Sequence, residues 1–192
     1  MNKSIMLLVG FLMTLGVAQW VLGDDDEHEH EHHEESYLGR MLGYGVDVEP
    51  VKNAQYKEEC GSCHFAYQPG LLPQRSWQHM MKGLDNHFGD NAELDKGVHE
   101  QISRYLLDNA ADKSSKGRSP GISRSIPADQ SPLRFSETRY FKRKHYEIPE
   151  RLVKGNAKVG SYSNCGACHT KADSGSFDEH QVVIAGFGRW DD

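Results

Sequence analysis

The chain has little apolar material for its length. Of its 192 residues, 37% are hydrophobic and 9% aromatic, a thin stock for two self-sufficient cores. Small domains bury proportionally less surface and often depend on a metal or a cross-link. Something other than side chains is therefore expected to fill part of the interior. The broad basic footprint of a nucleic-acid binder is also missing. Formal net charge is −6, and most of that comes from residues 24–35, DDDEHEHEHHEE, which hold eight carboxylates; the remainder is close to neutral. No cysteine lies outside two short motifs, no βαβ alternation is visible, and no acid/base cluster stands apart from those motifs. Nothing in the pattern requires a small-molecule substrate.

Residues 1–23 read as an export signal. Lys3 supplies the positive start, Ile5–Val17 is apolar apart from Thr14, and Val21 and Gly23 suit cleavage before Asp24. The competing reading is an uncleaved anchor, because Ile5–Leu22 approaches spanning length; Gln19 and the lack of a basic flank after it weigh against that. The tract 24–35 cannot bury anything and is expected to be disordered. Its histidines His28, His30, His32 and His33 suit either loose transition-metal binding or simple solvation.

A first folded unit is expected over 36–110. Trp77, Met80, Leu84 and His87 or Phe88 fall at helical spacing, predicting an amphipathic helix over 76–87, opened by Ser76 or Gln74 and closed by Gly89. A second helix is predicted over 95–109, with Asp95 as N-cap and a stripe of Val98, Ile102, Tyr105 and Leu106. Residues 111–132 are rich in Ser, Gly and Pro without periodicity and read as a linker. The remainder, 133–192, is irregular and Gly-rich, with a short strand possible in QVVIAG at 181–186.

All four cysteines lie in two C-x-x-C-H strings, CGSCH at 60–64 and CGACH at 165–169. That pentapeptide is the attachment signature of haem c. On a helical turn, residues i, i+3 and i+4 share a face, so Cys60 and Cys63 reach two vinyl groups of one porphyrin while His64 points at its iron. Cys165, Cys168 and His169 repeat the arrangement for a second covalently bound haem c. The small residues between the cysteines let backbone lie against the ring. Paired C-x-x-C zinc sites normally lie some 15–20 residues apart, far closer than these pairs. Disulfides between residues three apart would cross-link almost nothing.

Protein ligands on both faces make a haem an electron carrier, whereas an open face binds or activates small molecules. The function thus turns on the second axial ligands. His87 extends the stripe Trp77, Met80, Leu84, while His79 shares its face with Lys82 and Asn86, and His99 sits beside Glu100 and Gln101. Met80 and Met81 are rivals, although a methionine on a stripe is ordinarily core filler. For the second iron, His145 lies among Phe141, Tyr146 and Ile148, and His180 lies between acidic residues close in sequence to His169; both remain open on residue pattern alone. Around His145, Arg134, Arg139, Lys142, Arg143, Lys144, Arg151 and Lys154 outnumber Glu137, Glu147 and Glu150. This is either a solvated face or a patch that steers an acidic redox partner.

The string ECGSCHFAYQPGLLPQRSWQHMMKGLDNHFGDNAELD resembles the first half of the bacterial dihaem cytochrome c family. PLRFSETRYFKRKHYEIP, followed by KVGSYSNCGACH and FDE, resembles its second half. The resemblance implies a mainly α fold with much irregular structure. It implies an N-terminal domain like class I cytochromes c and a small, mostly irregular C-terminal haem domain. It also implies two bis-histidine haems, with His87 and His145 as the distal ligands. The expected role is a periplasmic, low-potential carrier rather than an enzyme, with a membrane cytochrome b as donor and a small oxygen-binding monohaem cytochrome c as acceptor. The alternative is a redox enzyme or gas sensor with one open haem.

Overall fold

The computed structural model describes residues 46–190. The expected export signal and the acidic, His-rich tract lie outside the described residues, as does the start of the first unit.

Helix α1, Ala54–Gly61, opens where the Asn53 side chain accepts a hydrogen bond from the Tyr56 backbone N–H at 2.8 Å, satisfying one of the donors a helix start leaves free. Helix α2, Gln74–Lys82, begins behind Pro73. Its first N–H donates to the Asp112 carboxylate at 2.8 Å, and the Gln74 side-chain amide donates to Leu107 O at 3.0 Å. The cap thus comes from a residue 38 positions away rather than from Ser76. Helix α3, Lys96–Asp108, starts after Asp95 as predicted, but the Asp95 side chain makes no capping bond.

The predicted helix over 76–87 is shorter than its periodicity suggests. It stops at Lys82, with Gly83 as C-cap, and a 3₁₀ turn, Leu84–Asn86, carries the chain on to His87. The buried stripe accordingly runs through Ser76, Trp77 and Met81, with Met80 only partly buried. Helices α2 and α3 pack together, and His99 Nε2 lies 2.9 Å from Met81 O across their contact. Around them gathers a core that includes Tyr56, Leu71, Leu72, Trp77, Ile102 and Leu106.

Residues 111–132, expected as a linker, hold helix α4, Ser119–Ser125. Ile122 and Ile126 from this stretch are buried in the core around α2 and α3, and Arg75 donates to the carbonyls of Ile126, Pro127 and Gln130. Two buried residues in seven give no readable period, and the packing partners are remote in sequence.

After it, helix α5, Arg139–Lys144, is capped by Thr138, whose hydroxyl accepts from Phe141 N at 3.2 Å. The rest is a succession of 3₁₀ turns and one antiparallel pair, β1 Val183–Ile184 with β2 Gly188–Arg189. Four buried residues, Val153, Val159, Val182 and Ile184, form its core. Among the described residues no helix is long and apolar enough to cross a membrane.

Candidate cofactor sites

The first motif straddles the end of α1. Cys60 lies in its last turn, and Ser62 closes the helix by donating from its hydroxyl to Glu59 O at 2.9 Å. His64 emerges just beyond, with Nδ1 2.9 Å from Phe65 O. A bond of that kind leaves Nε2 as the ligating atom. Facing it is His87, with ring centres 6.1 Å apart and planes 23° from parallel. His87 stands in a two-residue turn: its N–H donates to Asp90 O at 2.7 Å, and Asp90 N–H donates back to His87 O at 3.2 Å. The sequence pattern put His87 on a continuous helical stripe; the turn after the 3₁₀ segment is what places it opposite His64. Burial, then the proximity of His64 and Arg134, lowers the His87 pKa.

The second motif makes its own turn. Cys165–Ala167 is a 3₁₀ segment, and His169 N–H donates to Cys165 O at 2.8 Å, so Cys165, Cys168 and His169 share one side. A neighbouring segment fixes this turn from the back, Val183 N–H donating to Cys168 O and Ala185 N–H to Ala167 O, each at 3.0 Å. His145, at the C-cap of α5, holds Nδ1 2.9 Å from Phe141 O and stacks on the Phe141 ring at 3.8 Å. Its ring centre is 6.1 Å from that of His169, with the planes 76° apart.

Burial disfavours the charged form of both imidazoles in this second pair. Burial lowers the His145 pKa, and burial together with His145 brings His169 down to about 4. Nδ1 of His169 is buried with no hydrogen-bond partner. Between the two rings runs a cleft lined by Cys165, Cys168, Phe141, Tyr162, Phe177 and Val182 among others.

The remaining described histidines do not join either pair. His180 is exposed and sits 3.1 Å from the Asp178 carboxylate, His79 is exposed on α2, and His99 is engaged with Met81 O. Met80 and His79 instead line a hollow beside His87 and Phe88.

These residues fit a porphyrin iron well. Two metal–imidazole bonds of about 2 Å each, with about 1 Å more from each nitrogen to its ring centre, require a separation of about 6 Å. Both pairs meet it. A neutral imidazole is the ligating form. Burial pushes the Cys60 thiol up to about 11 and the Cys165 thiol to about 12, so neither is primed as a thiolate metal ligand. Among the described residues no three His, Cys, Asp or Glu side chains converge as they would round a bare ion. Cys60, Cys63 and His64 would hold one haem and Cys165, Cys168 and His169 the other.

A seam that the sequence did not announce joins the two sites. The Tyr67 hydroxyl donates to Ser163 O at 2.5 Å, two residues before Cys165, while its ring meets the His64 ring edge-on at 5.7 Å. Beside it, the Gln68 amide donates to Ala172 O at 2.5 Å with the side chain fully buried. A lone Tyr-Gln pair carries no motif, and its partners lie some 100 residues on.

Comparison with known proteins agrees with this geometry. Residues 56–177 match the family described as dihaem cytochrome c. A diheme cytochrome c from Shewanella baltica is 45% identical over 73% of this chain and 99% of its own, with a TM-score of 0.61. Diheme cytochrome c from Rhodobacter sphaeroides is 44% identical over 68% of this chain and 100% of its own, also with a TM-score of 0.61. No curated protein matches the chain. The chain therefore belongs to the dihaem cytochrome c family, an electron-transfer family, and carries two covalently bound haem c groups.

Proposed function

We propose that the protein is a periplasmic, low-potential one-electron carrier in which His64 and His87 close one iron and His169 and His145 close the other. A haem held this way takes up and releases one electron at its iron without binding a substrate there. The observation that carries the reading is that each motif histidine faces a second imidazole at the same 6.1 Å. Nitrogen on both faces, in place of the methionine that raises potential in many cytochromes c, keeps the potential low. The protein's own contribution is to orient the imidazoles. The Phe65 and Phe141 carbonyls fix the tautomers of His64 and His145, and Phe141 and Phe177 wall the second pair on two sides.

The visible spectrum of the reduced holoprotein with carbon monoxide tests the closure. It should not change. A shift in half of the haem would mean one open iron and would turn the reading to a gas sensor or redox enzyme.

The proposed partners are a membrane cytochrome b as donor and a small monohaem cytochrome c as acceptor. Helix α5 presents Arg139, Lys142, Arg143 and Lys144 as exposed cations directly before His145. Lys144 lies 3.9 Å from Glu179 and is partly offset. Such a face speeds encounter with an acidic partner and loses its effect as salt screens it. Lys142→Glu with Arg143→Glu should slow electron transfer to an acidic monohaem cytochrome by on the order of tenfold at low salt, and little at 0.5 M salt or above. Stopped-flow rates against ionic strength check this; a salt-independent loss would mean that the face does not steer.

A further inference from the structure

Phe88 is the one non-glycine residue with positive φ among the described residues, at 55°, and Gly89 follows at 110°. Both central residues of the turn His87–Asp90 are thus left-handed, a geometry that Gly, Asn or Asp takes readily and a bulky aromatic does not. The side chain is 46% exposed, so burial does not account for the strained backbone. What covers the ring is Arg134, whose guanidinium carbon stands 3.7 Å from the Phe88 ring centre. Beneath Phe88 lies His87, at 4.8 Å between ring centres, and beneath that His64. Four side chains therefore follow in order: Arg134 over the Phe88 face, Phe88 edge-on to His87 with the planes 65° apart, then His87 facing His64.

Arg134 comes from the other half of the chain. It is anchored there by its neighbour Phe135, which packs on the first core and against Phe141 of the second site at 5.7 Å, and Glu137 stands 3.8 Å from its Nε. The other ties of the turn are its two His87–Asp90 backbone bonds and two more. Asn86 Oδ1 accepts from Gly89 N–H at 3.1 Å, and the loop base closes where Ala92 N–H donates to Leu84 O at 2.8 Å. Next to the turn is the hollow lined by His79, Met80, Gly83 and Leu133, which gives the turn space to swing away.

We infer that Arg134 is a positioning residue for the first haem: by stacking on Phe88 it holds a strained turn shut, and so keeps His87 on the iron. The inference rests on the reading that His64 and His87 ligate one haem. It makes the closure of the first site depend on a residue from the second half of the chain. Planar stacking is the property that matters, so lysine, which keeps the charge but has no flat face, is a poor substitute.

The test uses reduced holoprotein and carbon monoxide as the probe. The wild type must first prove closed at both haems; if it binds carbon monoxide, the ligand reading itself fails, whatever Arg134 does. Given a closed wild type, Arg134→Ala should raise the fraction of first haem open to carbon monoxide by roughly two- to fivefold, the order a partly exposed cation–ring contact supplies. The second haem should stay closed. His87→Gly supplies the spectrum of an open first haem for assignment, and Arg134→Lys should behave more like alanine than like arginine.

Phe88→Asn keeps a residue tolerant of the left-handed backbone while removing the stacking platform, and it serves where the alanine variant fails to assemble. In the Phe88→Asn background, changing Arg134 should have no further effect, because the two act as one unit. The inference is overturned if Arg134→Ala leaves carbon monoxide binding unchanged, if it opens both haems alike, or if its effect persists undiminished without the Phe88 ring.

Discussion

Changing Cys165 and Cys168 together to alanine should halve the covalently bound haem and unfold the second half of the chain, while the same change at Cys60 and Cys63 removes one haem and leaves the helices standing. The asymmetry follows from where each half gets its stability. Around α1, α2 and α3 fourteen buried residues form one cluster, whereas the second core has four, Val153, Val159, Val182 and Ile184. Four aliphatic side chains are a small core for so long an irregular stretch, and a segment that buries so little needs another apolar body to order it.

The cleft between His145 and His169 is walled by apolar rings, Phe141, Tyr162 and Phe177 among them. Without a group of porphyrin size those walls face water or each other. Pyridine haemochrome absorbance gives haem per chain, and limited proteolysis with mass spectrometry locates the opened region. Cuts confined to residues after about 145 in the Cys165/Cys168 variant, and a protected helical part in both, are the expected pattern. Equal protease sensitivity of the two variants would mean that the second half is not organised by its haem.

The same imbalance decides how much was legible in the sequence. A covalent cofactor needs a fixed local spacing, so C-x-x-C-H announces itself, and the six cysteines and histidines of the two motifs line the two candidate sites. Helices α2 and α3 could be read because they bury one face at helical period against each other. His87 was picked out by helical phase, yet it reaches His64 from a turn after α2 has ended. His145 could be told from His180 only weakly by polarity, and the structure brings His145 to His169 and leaves His180 beside Asp178.

What stayed hidden was everything that depends on partners distant in sequence. SPGISRS looks like loop because Ser, Gly and Pro weaken a helix. Buried Ile122 within it, buried Ile126 just after it and the Arg75 bonds from α2 hold it in place nonetheless. Asp112 capping α2, Tyr67 joining the two sites and Arg134 covering Phe88 are each single residues with no local pattern.

Asp47→Ala should destabilise the holoprotein by about 2–3 kcal/mol and raise the potential of the second haem. Its carboxylate joins two segments far apart in sequence, at Arg118 and at Phe177. One carboxylate oxygen sits 2.6 Å from Arg118 Nε, and the other accepts the Phe177 backbone N–H at 2.5 Å. The Asp47 carbonyl also accepts from Arg118 N–H at 2.7 Å, and Val48 N–H donates to Gly175 O at 3.1 Å. Gly117 and Gly175, with φ of 55° and 78°, let the backbone approach closely here; a Cβ at either would collide with the Asp47 or Val48 carbonyl.

Removing the carboxylate leaves the Arg118 guanidinium with Tyr140 but no counter-charge, and strands the Phe177 backbone donor. A fully buried pair would lose roughly 3–5 kcal/mol, but the Arg118 side chain keeps 36% of its exposure, so water recovers part of the loss. For a chain of this size each 1 kcal/mol moves Tm by about 2–4 °C, giving a drop of roughly 4–12 °C.

The potential moves for a related reason. Asp47 lines the cleft with His145 and His169, and a negative charge there favours the oxidised iron. Taking it away, and leaving Arg118 positive without a counter-charge, both favour the reduced state, so the two changes shift the potential upward together. Asp47→Asn separates the contributions. Its side-chain oxygen can still accept from Phe177, so Tm should fall less than in the alanine variant, while the loss of charge should raise the potential by a similar amount. Redox titration of the two haems alongside thermal melting checks both parts. An unchanged second potential in both variants would mean that Asp47 acts as a structural tie alone, and an unchanged Tm in the alanine variant would remove it from that role as well.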